Sequence, residues 1–300
     1  KPVVLMPNPF YHVYAGAAAA AGAEPYFLDA TAESGFLPVI EAVPDAILRR
    51  TCLVYLCSPA NPQGAVASLN YLKQWLTIAQ RWGFVLASDE CYSEIYRGTP
   101  PHGALEAARD LGGQDPGALE NLMVFHSLSK RSSGAGMRSG FVAGDARLIR
   151  RQAQLINFGG VATPYPILAA ATALWQDEEH VEEYRAKYRA NFDAAQDALG
   201  ATFGEVRAEG GFFLWLDVGD GEAAAKALWE EAAIRVLPGG YMARDDAQGH
   251  NPGARYIRVA LVLEPDAMAA ALKRMAPVLE RVALQYRDAA AIAQPRTMMI

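Results

Sequence analysis

A lysine, an aspartate and an arginine in this chain have neighbours that could turn them to covalent and ionic chemistry. Lys130 stands in Ser127-Leu128-Ser129-Lys130, ahead of Ser132, Ser133, Gly134, Ala135 and Gly136, with Arg138 eight residues on. A lysine amine can form an imine with an aldehyde and afterwards carry a proton. The small residues behind it let the backbone fold close around a phosphate, and Arg138 offers the planar fork that phosphate accepts. Asp89, in Ser88-Asp89-Glu90-Cys91-Tyr92, could hold a ring nitrogen protonated by its negative charge. Tyr92 could share that site, and Asn61, in Asn61-Pro62-Gln63-Gly64, could reach it from another turn. Taken singly, each has a plainer reading. Lys130 alone is a solvated surface lysine, Asp89 a helix N-cap, Tyr92 a packing aromatic and Asn61 a turn residue.

What changes those readings is the order of elements that must position them. Val3–Pro7, Pro25–Leu28, Thr51–Cys57, Phe84–Ala87, Leu122–Phe125 and Gly140–Gly144 read as short apolar strands. Helical stretches fall between them, at Ala15–Gly22 and Leu69–Arg81. Continuous apolar strands alternating with helices predict an α/β fold with a mostly parallel sheet covered on both faces. In such sheets ligands bind beyond the carboxyl ends of the strands. Asn61, Asp89 and Lys130 each follow such an end, so separate strands deliver an amide, a carboxylate and an amine to one rim.

Beyond about residue 145 the pattern becomes α+β. Helices are expected at Arg147–Asn157, Pro164–Trp175, Glu178–Leu199, Gly221–Ala233 and Pro265–Arg281, and strands at Gly211–Val218, Ile234–Leu237 and Tyr256–Leu261. This predicts a large domain over residues 1–177, a smaller one over 178–282 and a patternless tail over 283–300.

Composition narrows the function classes. With 52% hydrophobic and 20% charged residues the chain is an ordinary globular protein. A net charge of −6 argues against a nucleic-acid partner, which would favour a basic patch. No apolar run reaches membrane-spanning length, so no membrane partner is expected. The cysteines Cys52, Cys57 and Cys91 lack paired metal spacing, and read as reduced thiols in a cytoplasmic protein.

Lysine, ring-nitrogen acid, phosphate cradle and aromatic neighbours are what a pyridoxal-phosphate site needs. The ordered motifs Ser58-Pro59-Ala60-Asn61-Pro62-Gln63-Gly64, Ser88-Asp89-Glu90-Cys91-Tyr92, Ser127-Leu128-Ser129-Lys130 and Arg138 resemble class I/II aminotransferases of the type I pyridoxal-phosphate fold, over residues 1 to about 282. The resemblance implies that Lys130 holds the cofactor as an imine, Asp89 binds its pyridine nitrogen, and Asn61 and Tyr92 bond its 3-hydroxyl oxygen. It further implies that Ser127 and Arg138 hold the phosphate and that Tyr11 stacks on the ring. Arg258, in Tyr256-Ile257-Arg258-Val259, would grip the substrate's α-carboxylate, although alone it reads as an exposed charge on an alternating strand.

Narrower stretches, among them Phe125-His126-Ser127-Leu128-Ser129-Lys130-Arg131-Ser132, are similar to the N-succinyl-diaminopimelate branch. That implies small amino-acid and keto-acid substrates, with glutamate as amino donor, and a homodimer. Gln63 stands where the family usually has threonine. Family members also carry, ahead of the strand at Val3, a glycine-rich phosphate loop and an arm to the partner subunit, so the chain reads as a shortened member. Another class I aminotransferase, a lyase of the same fold and a non-catalytic remnant acting as a binding protein are the alternatives.

Overall fold

The buried run Val3-Val4-Leu5-Met6 opens β1 (Val3–Asn8), and the alternation inferred from sequence continues from there. A computed structural model describes residues 1–113, 115–159 and 162–293. After β1 come α1 (His12–Ala20), β2 (Glu24–Asp29), α2 (Asp45–Leu48), β3 (Thr51–Cys57), α3 (Leu69–Trp82), β4 (Val85–Asp89) and α4 (Ala104–Gly112). Then follow β5 (Leu122–Ser127), α5 (Leu128–Arg131), β6 (Gly140–Gly144), α6 (Ala146–Gly159), α7 (Tyr165–Gln176) and α8 (Glu179–Phe203). The chain continues with β7 (Phe213–Asp217), α9 (Gly221–Ala232), β8 (Leu237–Pro238), β9 (Tyr256–Ala260) and α10 (Pro265–Ala293).

A six-stranded sheet has the order β2-β1-β3-β4-β5-β6. All its pairings are parallel except that of β5 with β6. Its core shows why the strands are continuously apolar. Leu5, Val54, Leu86, Leu122 and Val124 are buried in the sheet, and Trp75 and Leu76 of α3 pack against them. Each such side chain contributes roughly 1.5–3 kcal/mol when fully buried. Leu72, Trp75, Leu76 and Ala79 line one face of α3 at helical spacing. Ser68 caps this helix by accepting from the Tyr71 N–H at 3.2 Å, and Gly83, at φ +76°, ends it in the left-handed conformation.

The chain divides into two compact units. One comprises Lys1–Ala186 with Ala208–Gly211, and the other Lys187–Arg207 with Phe212–Ile300. The second contains the antiparallel sheet β7-β9-β8. The helix α8 begins in the first unit and ends in the second.

Several boundaries depart from the sequence expectation. The first helix starts at His12 rather than Ala15, because Tyr11 turns the chain directly into it. The strand expected at Ile234–Leu237 reduces to Leu237–Pro238, because the chain leaving α9 first bonds back to it, Ile234 N–H to the Leu228 carbonyl at 3.1 Å. Residues 283–293 are not patternless but continue α10, as their alanine-rich composition favours. Gln294-Pro295-Arg296 lies outside the described residues. No helix among the described residues is long and apolar enough to cross a membrane.

Candidate active site

Three parallel strands end side by side. In register, Asp89 of β4 lies between Cys57 of β3 and Phe125 of β5. The backbone continues the ladder past these ends. Ser58 N–H donates to the Asp89 carbonyl at 3.1 Å, and Glu90 N–H to the Phe125 carbonyl at 3.0 Å. The strand-end placement read from the sequence is therefore physical: Asn61, Asp89 and Lys130 leave adjacent strands at one edge.

Asp89 is held at both oxygens. Tyr14 Oη donates to its Oδ2 at 2.5 Å, and the Cys91 N–H donates to its Oδ1 at 3.2 Å. Tyr14 is buried and stacks on Tyr55, with ring centroids 4.3 Å apart and planes 7° from parallel. Burial pushes the Tyr14 phenol well above its ordinary value, and Cys57 and Asp89 add to the shift. Burial, then Asp89, likewise pushes the Cys57 thiol up. Around Asp89, then, the phenol and thiol stay protonated and the carboxylate is the acceptor. Tyr11 occupies the N-cap position of α1, with its ring edge-on to Tyr14 at 5.7 Å.

Asn61 is buried in a turn that glycine makes possible. The Cys57 thiol donates to the Pro59 carbonyl at 3.3 Å, and the Gly64 N–H closes the turn on the Ala60 carbonyl at 2.7 Å. Gly64 has φ +75°, and a Cβ there would come within 2.5 Å of the Ala208 Cβ and 2.7 Å of the Gly210 carbonyl oxygen. Only glycine fits both constraints. Gln63 is buried beside it, its Nε2 lacking a hydrogen-bond partner.

Lys130 lies on α5, a single helical turn following β5, with Nζ 5.7 Å from the centre of the buried Tyr92 ring. Burial and Asp89 push the Cys91 thiol far up, while Lys130 opposes them, so the amine and the carboxylate both act on this sulfur. Ser127 caps α5, its Oγ accepting from the Ser129 N–H at 3.1 Å and donating to Ser129 Oγ at 2.9 Å.

Ser127, Ser129 and Arg138 line one cleft of about 370 Å³ that also takes in Cys91. Arg138 is a non-glycine residue at φ +52°, a left-handed conformation that costs free energy and marks a constrained position. Its Nη1 donates to the Ala135 carbonyl at 2.9 Å, curling the side chain over the turn behind Lys130. Hydroxyls and a guanidinium on one cleft suit a phosphate, and a carboxylate held by two donors suits a cationic ring nitrogen. The donor set fits pyridoxal phosphate.

Arg258 belongs to the second unit. It sits on β9 opposite Trp215, with its guanidinium 4.3 Å from the centre of the Phe213 ring. Ile257 and Val259 beside it are buried, as the alternation predicts.

Two neighbours of the site escaped the sequence reading. One is Tyr14, whose signal was its spacing from Tyr11, three residues apart at the start of a helix. The other is His126, which lines the cleft beside Ser127. Its Nε2 is 3.3 Å from the buried Glu90 carboxylate, and its ring stacks on Phe141 at 5.0 Å.

The family model for class I and II aminotransferases matches residues 1–275. The chain belongs to this family, whose cofactor is pyridoxal phosphate. An aminotransferase from Neisseria meningitidis superposes with a TM-score of 0.86 at 41% identity, covering 93% of this chain and 70% of that one. The LL-diaminopimelate aminotransferase of Moorella thermoacetica is 31% identical over 287 residues, 93% of this chain and 69% of its own length. The 4-dedimethylamino-4-oxo-anhydrotetracycline transaminase OxyQ of Streptomyces rimosus is 35% identical over 224 residues, 74% of this chain and 59% of its own. A probable N-succinyldiaminopimelate aminotransferase from Thermus thermophilus superposes with a TM-score of 0.77 at 26% identity, covering 93% and 72%. The chain thus spans between about three-fifths and three-quarters of the length of these relatives.

Proposed function

We propose that this chain catalyses transamination between glutamate and a keto acid, and that the pair it serves is N-succinyl-LL-diaminopimelate and N-succinyl-2-amino-6-ketopimelate. The observation that carries the reaction class is the pairing of Asp89, held by Tyr14 and the Cys91 N–H, with Lys130 one strand away. Motifs around Asp89 and Lys130 support the substrate, together with relatives named for diaminopimelate chemistry. The same resemblance supports a homodimer and a cytoplasmic setting.

When bound, pyridoxal phosphate supplies an electron-withdrawing ring that stabilises the charge left on the substrate's α-carbon. The residues divide the remaining work. Asp89 keeps the ring nitrogen protonated, and Asn61 and Tyr92 orient the ring through its 3-hydroxyl oxygen. Ser127 and Arg138 fix the phosphate, and Tyr11 covers the ring. The Lys130 amine would anchor the cofactor and, once free, would hold on Nζ the proton taken from the substrate's α-carbon. Arg258 binds the α-carboxylate as a bidentate pair.

Adding pyridoxal phosphate and then glutamate tests this reading in one cuvette. The expected result is a near-visible absorbance band that glutamate abolishes, with release of 2-oxoglutarate. Lys130→Ala is expected to lose the band and the turnover. Normal turnover in that variant, or a wild-type chain that never develops the band, overturns the assignment.

A further inference from the structure

The turn that bears Lys130 cannot hold itself. Helix α5 comprises four residues, too few to repay the cost of helix nucleation, and Ser133 behind it sits at φ +48°. Its amino end is capped by Ser127. Its carboxyl end is tied elsewhere, by the two residues that directly follow Lys130. Arg131 is 5% exposed and donates from Nη1 to the Leu174 carbonyl at 2.7 Å. It also reaches the Asp177 carbonyl at 3.4 Å, pairs with Glu178, and lies 5.2 Å from the centre of the Trp175 ring. Ser132 Oγ is 2.8 Å from His180 Nε2, and His180 Nδ1 is 2.8 Å from Asp177 Oδ2. All these partners lie at the junction of α7 and α8.

Serine, histidine and aspartate in this order also describe a nucleophilic triad. The surroundings argue otherwise. Ser132 is 9% exposed, and its N–H is spent on the Leu128 carbonyl at 3.1 Å rather than offered to an oxyanion. The Asp177 carboxylate fixes the imidazole so that Nε2 meets the serine hydroxyl, which can donate or accept and so holds in either protonation state.

We propose that Arg131 and the Ser132–His180–Asp177 relay are positioning residues for Lys130, fixing the amine by clamping its one-turn helix to the root of α8. This rests on Lys130 carrying the cofactor. The test uses the protein loaded with pyridoxal phosphate, in wild-type form and as Ser132→Ala, Ser132→Thr and His180→Ala. Three readouts apply: the pH midpoint of the lysine-bound cofactor's absorbance, the rate of cofactor loss to a scavenger, and the melting temperature of the unloaded chain. Ser132→Ala and His180→Ala are expected to shift the midpoint and speed cofactor loss roughly tenfold, the scale of one hydrogen bond. They are also expected to lower kcat with KM for glutamate little changed, and Ser132→Thr is expected to restore all of these. If His180→Ala fails to fold, Ser132→Ala still carries the test, since it removes one hydroxyl. A lowered melting temperature with unchanged midpoint and loss rate marks a merely structural tie and overturns the clamp. A wild-type chain that shows no band overturns instead the reading of Lys130 on which the clamp rests.

Discussion

The Tyr14 hydroxyl is where a single atom is expected to matter most. It donates to one oxygen of Asp89 at 2.5 Å while its ring stays packed against Tyr55. Tyr14→Phe keeps the stacking and removes only the donor. Hydrogen bonds to charged groups contribute about 1.5–3 kcal/mol, so affinity for pyridoxal phosphate is expected to fall by at least roughly tenfold. Fluorescence titration of the cofactor would measure it, and an unchanged dissociation constant would show that the phenol merely fills space. The placement of Asp89 and Lys130 at adjacent strand ends was legible in the sequence because charged groups at the ends of apolar strands are costly and need a reason. Tyr14 and His126 were not, because an aromatic at a helix start or a histidine in a strand has too many bland uses. Only the fold shows that one faces a carboxylate and the other a buried Glu90.

Elements hold these residues through caps and turns whose strength can be read out separately. Asp145 caps α6, its Oδ1 accepting from the Arg147 N–H at 2.8 Å, while its Oδ2 accepts from the Asn121 N–H at 3.0 Å. Burial alone would raise this carboxyl, but the donors from Asn121, Arg147 and Leu148 outweigh it and hold it below its ordinary value. A carboxyl depressed on folding stabilises the protein above its unfolded value of about 3.9 and loses that contribution as pH falls through the lower folded value. Asp145→Ala is therefore expected to cost about 1 kcal/mol near neutral pH. In urea titrations that gap should narrow below about pH 4. A gap constant with pH would rule out the charged cap. Gly64→Ala addresses the Asn61 turn. Positive φ and a Cβ 2.5 Å from that of Ala208 predict a loss of more than about 1 kcal/mol and weaker cofactor binding, read by thermal melts and titration. Helices such as α3 were legible because a capping serine and a terminating glycine bracket an amphipathic run. Helix α4 was not, because its cap is not local. Gly103 precedes it, and the Glu90 carboxylate, from another element, accepts from the Ala104 N–H at 2.7 Å.

At the scale of the molecule, the mostly parallel sheet followed its sequence signature because strands buried on both faces must be apolar throughout. What the sequence could not mark is which helix faces go uncovered. In α6 and α7, Leu155 is 72% exposed, Phe158 92% and Tyr165 84%, and α6 has no buried residue among those described. Leu155 and Phe158, three residues apart, share a face of α6, and apolar side chains exposed together mark an interaction surface. The homodimer implied by resemblance supplies one occupant, a second copy of the chain. Each large apolar side chain transferred from water contributes roughly 1.5–3 kcal/mol, and several from each copy are needed to offset the roughly 4–15 kcal/mol that association costs. Sedimentation equilibrium of the wild-type chain is expected to give twice the monomer mass at micromolar concentration. A Leu155→Glu, Phe158→Glu double variant is expected to sediment as a monomer that keeps the wild-type far-ultraviolet circular dichroism, because neither side chain contributes to the folded core. A monomeric wild type would assign this face to another partner, and a dimeric double variant would move the dimer contact elsewhere on the chain.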